Sequence, residues 1–175
     1  MKKNSLLIAL FLVAFSINAQ TTFQFNPDGT TDYVVYSVEK VTAADIYKKI
    51  INWVNETFKN PNEVIKAKIE NEMIRIDGYL SSAFSRTFAS GGKADYDITF
   101  TMEIQIQDGK FRMKYTHNVI TVDGGVVHFK FTDVLQNTPD INGNAWSGAK
   151  EQYESNVSKL MESLFTYIAK PKEKW

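Results

Sequence analysis

The chain has 175 residues, with 20 basic and 20 acidic side chains, two histidines and no cysteine. Balanced charge gives no basic face to displace counterions, so nucleic acid is not an expected partner. The missing cysteines exclude disulfides, thiolate nucleophiles and sulfur-ligated zinc, leaving 12 Phe, 8 Tyr and 3 Trp to supply the core.

Residues 1–20, MKKNSLLIALFLVAFSINAQ, have the order of an export signal. Lys2 and Lys3 form a basic head, Leu6 to Phe15 an apolar run, and Ser16, Asn18 and Ala19 a small-residue exit. The run is short of the roughly 20 apolar residues a membrane span needs. Cleavage is expected after Ala19 or Gln20. The product carries 18 basic and 20 acidic residues, a net charge near −2. No cysteine follows the cut to take a lipid, so a soluble periplasmic or secreted protein with no stable membrane anchor is expected.

Residues 21–32 read as a flexible N-terminal segment, because Asn26-Pro27-Asp28-Gly29 is turn chemistry. A single domain is expected over 33–169, with a short charged tail at 170–175. Tyr33 to Val38 is a strand, rich in β-branched and aromatic residues. A helix follows, capped by Thr42 with Asp45 three residues on, and stapled by Val41 and Ile46. Ile46, Ile50, Trp53 or Val54, and Phe58 recur at helical spacing until Asn60-Pro61 stops them.

A hairpin comes next, with Ile69 opposite Ile74 across Asn71-Glu72, Ala67 opposite Ile76 and Ile65 opposite Gly78. Lys68 opposite Arg75 is its one unfavourable pair. Residues 81–94, SSAFSRTFASGGKA, break the pattern and read as a long mobile loop or short helical excursion, suited to a lid or partner contact.

Asp108-Gly109 is the preferred dipeptide of a type I′ turn. Around it Ile106 faces Phe111, Ile104 faces Met113, Met102 faces Tyr115 and Phe100 faces His117. Gln105 meets Arg112, Glu103 meets Lys114 and Thr101 meets Thr116 on the other face. A second turn at Asp123-Gly124-Gly125 places Val119 against Phe129 and His117 near Phe131, giving strands near 97–107, 110–121 and 127–132. After the turn-rich residues 136–144, a helix of about twenty residues carries the stripe Trp146, Ala149, Tyr153, Val157, Leu160 or Met161, Leu164 and Ile168. The fold class is therefore α+β, of order β-α-β-β-β-β-β-α, with five to six antiparallel strands in a curved sheet packed against two amphipathic helices.

Candidate chemistry is sparse. His117 falls on the apolar face of its strand and His128 on the opposite face of the next, so they share no metal site or relay. No serine sits in a nucleophile elbow, and Gly91-Gly92-Lys93 lacks phosphate-loop spacing. Asp95 and Asp97 lie two apart on one strand face and, with Asp77, are the acids for a carboxylate-based hydrolase; Glu103 joins that face further along, where Lys114 should neutralise it. No catalytic residue, metal or cofactor is assigned. The aromatic surplus suggests an apolar pocket between sheet and long helix, lined by Tyr115, Phe129, Phe131, Trp146 and Tyr153.

The Asn18-Ala19-Gln20 ending resembles the signals of exported Bacteroidota proteins. The Tyr33–Glu39 strand, the Thr42–Phe58 helix with Trp53, the Ile74–Gly78 strand ending in Asp77-Gly78, and the Tyr96–Tyr115 hairpin are similar to domain of unknown function 4468. That resemblance, over roughly half the chain, implies a TATA-binding-protein-like fold. It brings no active site, and fold alone does not imply DNA binding. The functional expectation is an exported, non-catalytic binding module for an envelope protein or small apolar ligand. The alternatives are a cell-envelope hydrolase using carboxylates, or an assembly module.

Overall fold

A computed structural model describes residues 22–171 apart from Gly124 and His128. The export signal, His128 and the end of the charged tail lie outside the described residues. The elements are β1 (Val34–Ser37), α1 (Ala43–Thr57), α2 (Pro61–Val64), β2 (Ile65–Ile69), β3 (Met73–Thr87), β4 (Lys93–Gln107), β5 (Lys110–Val122), β6 (Gly125–Val126), α3 (Phe131–Leu135) and α4 (Ala149–Ala169). The strands form one antiparallel sheet in the order β1-β5-β4-β3-β2, with β6 also paired to β5. The class is α+β, and α2 and α3 are short additions to the expected order.

Alternation decides which face of the sheet is buried. In β4, Tyr96, Ile98, Phe100, Met102, Ile104 and Ile106 all point inward. The β4–β5 register matches the expected pairs from Ile106–Phe111 through Phe100–His117. The α4 stripe of Ala149, Tyr153, Val157, Met161, Leu164 and Ile168 is fully buried against this face. Helix α1 adds Ile46, Ile50, Trp53 and Val54. The Trp53 indole N–H donates to Ser163 Oγ at 3.1 Å, and Lys49 Nζ donates to the Ile168 and Lys170 carbonyls, joining α1 to the end of α4. Among the described residues the opposite face of the sheet carries no helix.

The Asp108-Gly109 turn differs from the expected form. Only Gly109 takes a left-handed φ, of 74°. Asp108 is held otherwise because its carboxylate caps α1, accepting from Ala43 N at 2.7 Å. Thr42 Oγ1 accepts from Asp45 N at 3.2 Å, so α1 has two side-chain caps.

The β2–β3 hairpin is shifted from the expected register. Ile69 pairs with Met73, Lys68 with Ile74 and Ala67 with Arg75. Asn71 adopts φ 61° in a three-residue loop closed by Glu72 N to the Ile69 carbonyl at 3.1 Å. The shift separates Lys68 from Arg75, removing the unfavourable pair.

Residues 81–94 are not a long loop. Strand β3 runs to Thr87 and β4 begins at Lys93, so the connection is Phe88–Gly92. Leu80 pairs with Ile98 and Phe84 with Tyr96, so three residues of β3 oppose Asp97 alone. This bulge ejects Ser82, at φ 48°, and keeps Phe84 and Arg86 on the inner face. Asn156 Nδ2 of α4 donates to the Ala83 carbonyl at 3.0 Å and Gln152 Oε1 accepts from Ser85 N at 2.9 Å, so helix side chains satisfy the strand edge beyond β2.

The expected strand at 127–132 is also corrected. Strand β6 ends at Val126, and residues from Phe131 form α3. Asn118 is an extra residue in β5, donating from Nδ2 to Thr101 Oγ1 at 3.0 Å. It turns Ile120 inward and leaves Val119 on the outer face, so Val119 does not meet Phe129. Residues 22–32 are docked rather than loose. Phe23 and Phe25 are buried, Phe25 N donates to Glu154 Oε1 at 2.8 Å, and the Thr31 hydroxyl donates to the Tyr115 carbonyl. The turn residues Asn26 to Gly29 protrude between these anchors.

Gly78 lies directly across from Phe100, whose ring covers it; an added Cβ would sit 2.3 Å from Phe100 Cζ. Gly78→Ala is expected to destabilise the fold by about 1–3 kcal/mol through overpacking. Shortening the ring in Gly78→Ala/Phe100→Leu should add less than the sum of the two single losses. Urea unfolding of the four proteins measures both effects, and an unchanged Gly78→Ala midpoint would refute the close approach.

Candidate functional site

The five aromatic residues expected to line a pocket do come together. Tyr115 and Tyr153 are fully buried with their hydroxyls 3.0 Å apart, and burial raises both phenols well above their usual range, so both stay protonated. Phe131 lies 5.7 Å from Tyr153, and Phe129 lies 4.6 Å from the buried Trp146. Side chains from elsewhere occupy the space between them. Phe25 sits 4.9 Å from Tyr153 and 5.0 Å from Phe131, and Phe23 sits 5.5 Å from Tyr115. Phe84 and Tyr96, stacked at 5.0 Å, fill the Trp146 side. The cluster is close-packed aromatic core.

Arg86 is buried beside it. Its guanidinium carbon lies 4.0 Å from the centre of the Trp146 ring, and Nη2 lies 3.0 Å from Asp140 Oδ2. Arg86 also donates to the Asn144 and Ala145 carbonyls, tying the 137–146 connection to β3.

Among the acidic candidates Asp95 is exposed and Asp77 and Asp97 are half-buried, and each is partnered. Asp97 accepts from the Tyr79 hydroxyl and from Ser82 N at 2.7 Å; Asp95 accepts from Ser85 Oγ at 2.7 Å and pairs with Lys93 at 3.1 Å. These hydrogen bonds, from Tyr79 and from Ser85 first, hold both carboxyls below their ordinary range. A general acid needs the opposite shift. Asp77 accepts from Thr101 Oγ1 at 2.7 Å. Among the described residues no group of three or more His, Asp or Glu side chains is placed to hold a metal, and no helix is long and apolar enough to cross a membrane.

The helix-free face of the sheet is hollowed into a cleft of about 900 Å³. One row of paired residues crosses it: Val35 of β1, Arg112 of β5, Gln105 of β4, Met73 of β3 and Ile69 of β2. The ends are apolar, and Val35 and Ile69 are each 51% exposed. The centre is polar and held in place. Gln105 Oε1 accepts from Arg112 Nε at 2.8 Å and from Nη2 at 2.5 Å, while Gln105 Nε2 donates to Glu103 Oε1 at 2.7 Å. The Tyr33 hydroxyl also donates to Glu103 Oε1, at 3.2 Å, and the Arg112 guanidinium carbon lies 4.2 Å from the centre of the Tyr33 ring. Lys110, Gln107 and Glu72 line the rim. None of the five aromatic candidates lines this cleft. Sequence reasoning missed it by treating the face as merely solvated. The available signal was Tyr33 and Val35, large residues out of phase with the inward Val34, Tyr36 and Val38.

A curved antiparallel sheet with its helices on one face and the other left open defines the TATA-binding-protein-like class of α+β domains. The family described as domain of unknown function (DUF4468) with TBP-like fold matches residues 33–121, and the chain belongs to that family. Its fold is similar to that of a DUF4468 family protein from Bacteroides ovatus, with a TM-score of 0.55 at 9% identity, covering 85% of this chain and 91% of that one. It is also similar to a TBP-like protein from Parabacteroides distasonis, with a TM-score of 0.54 at 14% identity, covering 84% and 96%. No curated protein matches the chain.

His117 is half-buried, its ring 4.0 Å from Phe131 and 6.2 Å from Phe25, and burial lowers its pKa from the ordinary 6.5. The unfolded chain therefore takes up this proton more readily than the fold does. The fold should lose stability as pH drops below about 6.5, levelling off under the lowered folded value. Asp95, Asp97 and Asp140 add losses only at more acidic pH, below their ordinary 3.8. Melting temperatures from pH 7.5 to 5 should fall for the wild type and change less for His117→Phe. Equal slopes would contradict a neutral, desolvated imidazole.

Proposed function

We propose that this chain is an exported, non-catalytic binding protein that meets its partner through the open face of its sheet. The observation carrying this reading is the five-strand row from Val35 to Ile69, whose exposed apolar ends flank an arginine already oriented by Gln105 and Tyr33. Apolar side chains around a desolvatable arginine are the ingredients of binding hot spots. Holding that arginine before binding reduces the entropy lost on association. The basic-apolar-small order of residues 2–19 supports export, placing the partner in the cell envelope or outside it.

The test captures partners from envelope extract with the tagged mature protein and with Val35→Asp. Val35 is exposed, so the variant should melt within a few degrees of the wild type while losing the captured protein. Capture undiminished by Val35→Asp, or by Val35→Asp/Ile69→Asp, would overturn the open face as the contact surface. Export has its own measurement. Protein recovered from the periplasm or medium should begin at Gln20 or Thr21, and a chain recovered only from cytoplasm with Met1 intact would refute it.

A further inference from the structure

We infer that the cleft on the open face receives an extended peptide with a carboxylate side chain between apolar ones, read by Arg112; this rests on the open-face reading above. Charge is the first argument. Lys110, Arg112 and Lys114 follow one another along the outer side of β5. Among the described residues none of the three has a carboxylate within 4.0 Å. The nearby acid, Glu103, is engaged by Gln105 and Tyr33 instead. Gln105 and Tyr33 fix the guanidinium through Nε, Nη2 and its π-face, which leaves Nη1 and the second Nη2 hydrogen as donors into the cleft. A carboxylate is the acceptor that matches a planar pair of N–H groups.

The apolar ends and the spacing supply the rest. Neighbouring strands lie about 4.8 Å apart and an extended chain advances about 3.3 Å per residue, with alternate side chains on one side. With its acid over Arg112, a peptide crossing the strands places the sheet-facing residue two positions before it at Val35. The residue two positions after it falls between Gln105 and Met73, and the one four positions after it reaches Ile69. The pattern that fits is apolar-x-acid-x-apolar-x-apolar. A hydrocarbon chain with a carboxylate head fits less well. It would lie on the Gln107 amide and strip its water without offering a hydrogen bond, a loss that peptide N–H and C=O groups avoid.

The probe is a fluorescein-labelled heptapeptide with leucine at positions 1, 5 and 7, glutamate at 3 and serine elsewhere, titrated with the mature protein by fluorescence polarisation. Replacing the glutamate by glutamine should weaken binding about ten- to hundredfold. Arg112→Gln should bind both peptides equally, and Val35→Asp should weaken both. Equal affinity of wild type for the two peptides would overturn the carboxylate assignment. Binding of decanoate with no binding of the peptide would overturn the peptide in favour of a lipid anion, and no binding of either would overturn the inference outright. Loss of captured partner in Val35→Asp, alongside equal affinity for both peptides, would leave the open face standing and remove only this ligand class.

Discussion

The three-residue bulge in β3 opposite Asp97 is the constraint on which most of this fold depends. Strict alternation from Ile74 would bring Ser82 inward, in the middle of an otherwise apolar face. The bulge instead expels Ser82 and restores pairing at Phe84–Tyr96 without exchanging the two faces of the strand. Its stabilisation comes from both sides. Asp97 accepts from Ser82 N, Tyr79 and Ser81 on the open face, while Asn156 takes the Ser82 and Ala83 carbonyls from the helix side. Backbone groups freed from the ladder therefore do not go unpaired. The neighbouring irregularity at Asn118 is treated the same way, by Thr99 and Thr101.

The residues beyond the bulge determine what the core can contain. Phe84 stacks on Tyr96 and reaches Trp146, and Arg86 sits between Trp146 and Asp140. Burial of a charged side chain is tolerable because one carboxylate, two carbonyls and an aromatic face replace its water. The N-terminal segment then closes the other end of the cluster with Phe23 and Phe25. A chain with no disulfide has to be held by such packing, and here three strands, a long helix and a terminal segment contribute to it together.

The parts of this fold that were legible in the sequence are those where every local signal agreed. The β4–β5 hairpin alternates from Phe100 to His117 on both sides of Asp108-Gly109, and α4 repeats an apolar residue every three to four positions. The failures share one cause, a long-range partner that changes the meaning of a local pattern. Residues 81–94 read as a loop or short helical excursion because they break the alternation, yet Arg86 among them is held inward by Asp140 and Trp146. Asn118 reads as ordinary polar alternation, yet it reverses which of Val119 and Ile120 faces inward. Phe23 and Phe25 sit beside turn residues that suggest a loose segment, and only Glu154 and Tyr115 show where they dock. The five aromatic candidates lie near one another, but composition alone does not distinguish a lined pocket from a filled core.

The filled core bears directly on where binding is placed. Helices α1 and α4 bury one face of the sheet and leave no comparable cover for the other. On that open face Val35 and Ile69 remain exposed at the two ends of the paired row. These apolar ends, and an arginine held by both an amide and an aromatic ring, are the features on which the proposed partner contact rests. Bulges also increase strand bending. The irregularities at Ser81–Ala83 and Asn118 thus shape the end of the sheet that holds the aromatic core, whereas the cleft row of Val35, Arg112, Gln105, Met73 and Ile69 lies towards the β4–β5 turn, where pairing of those two strands is regular.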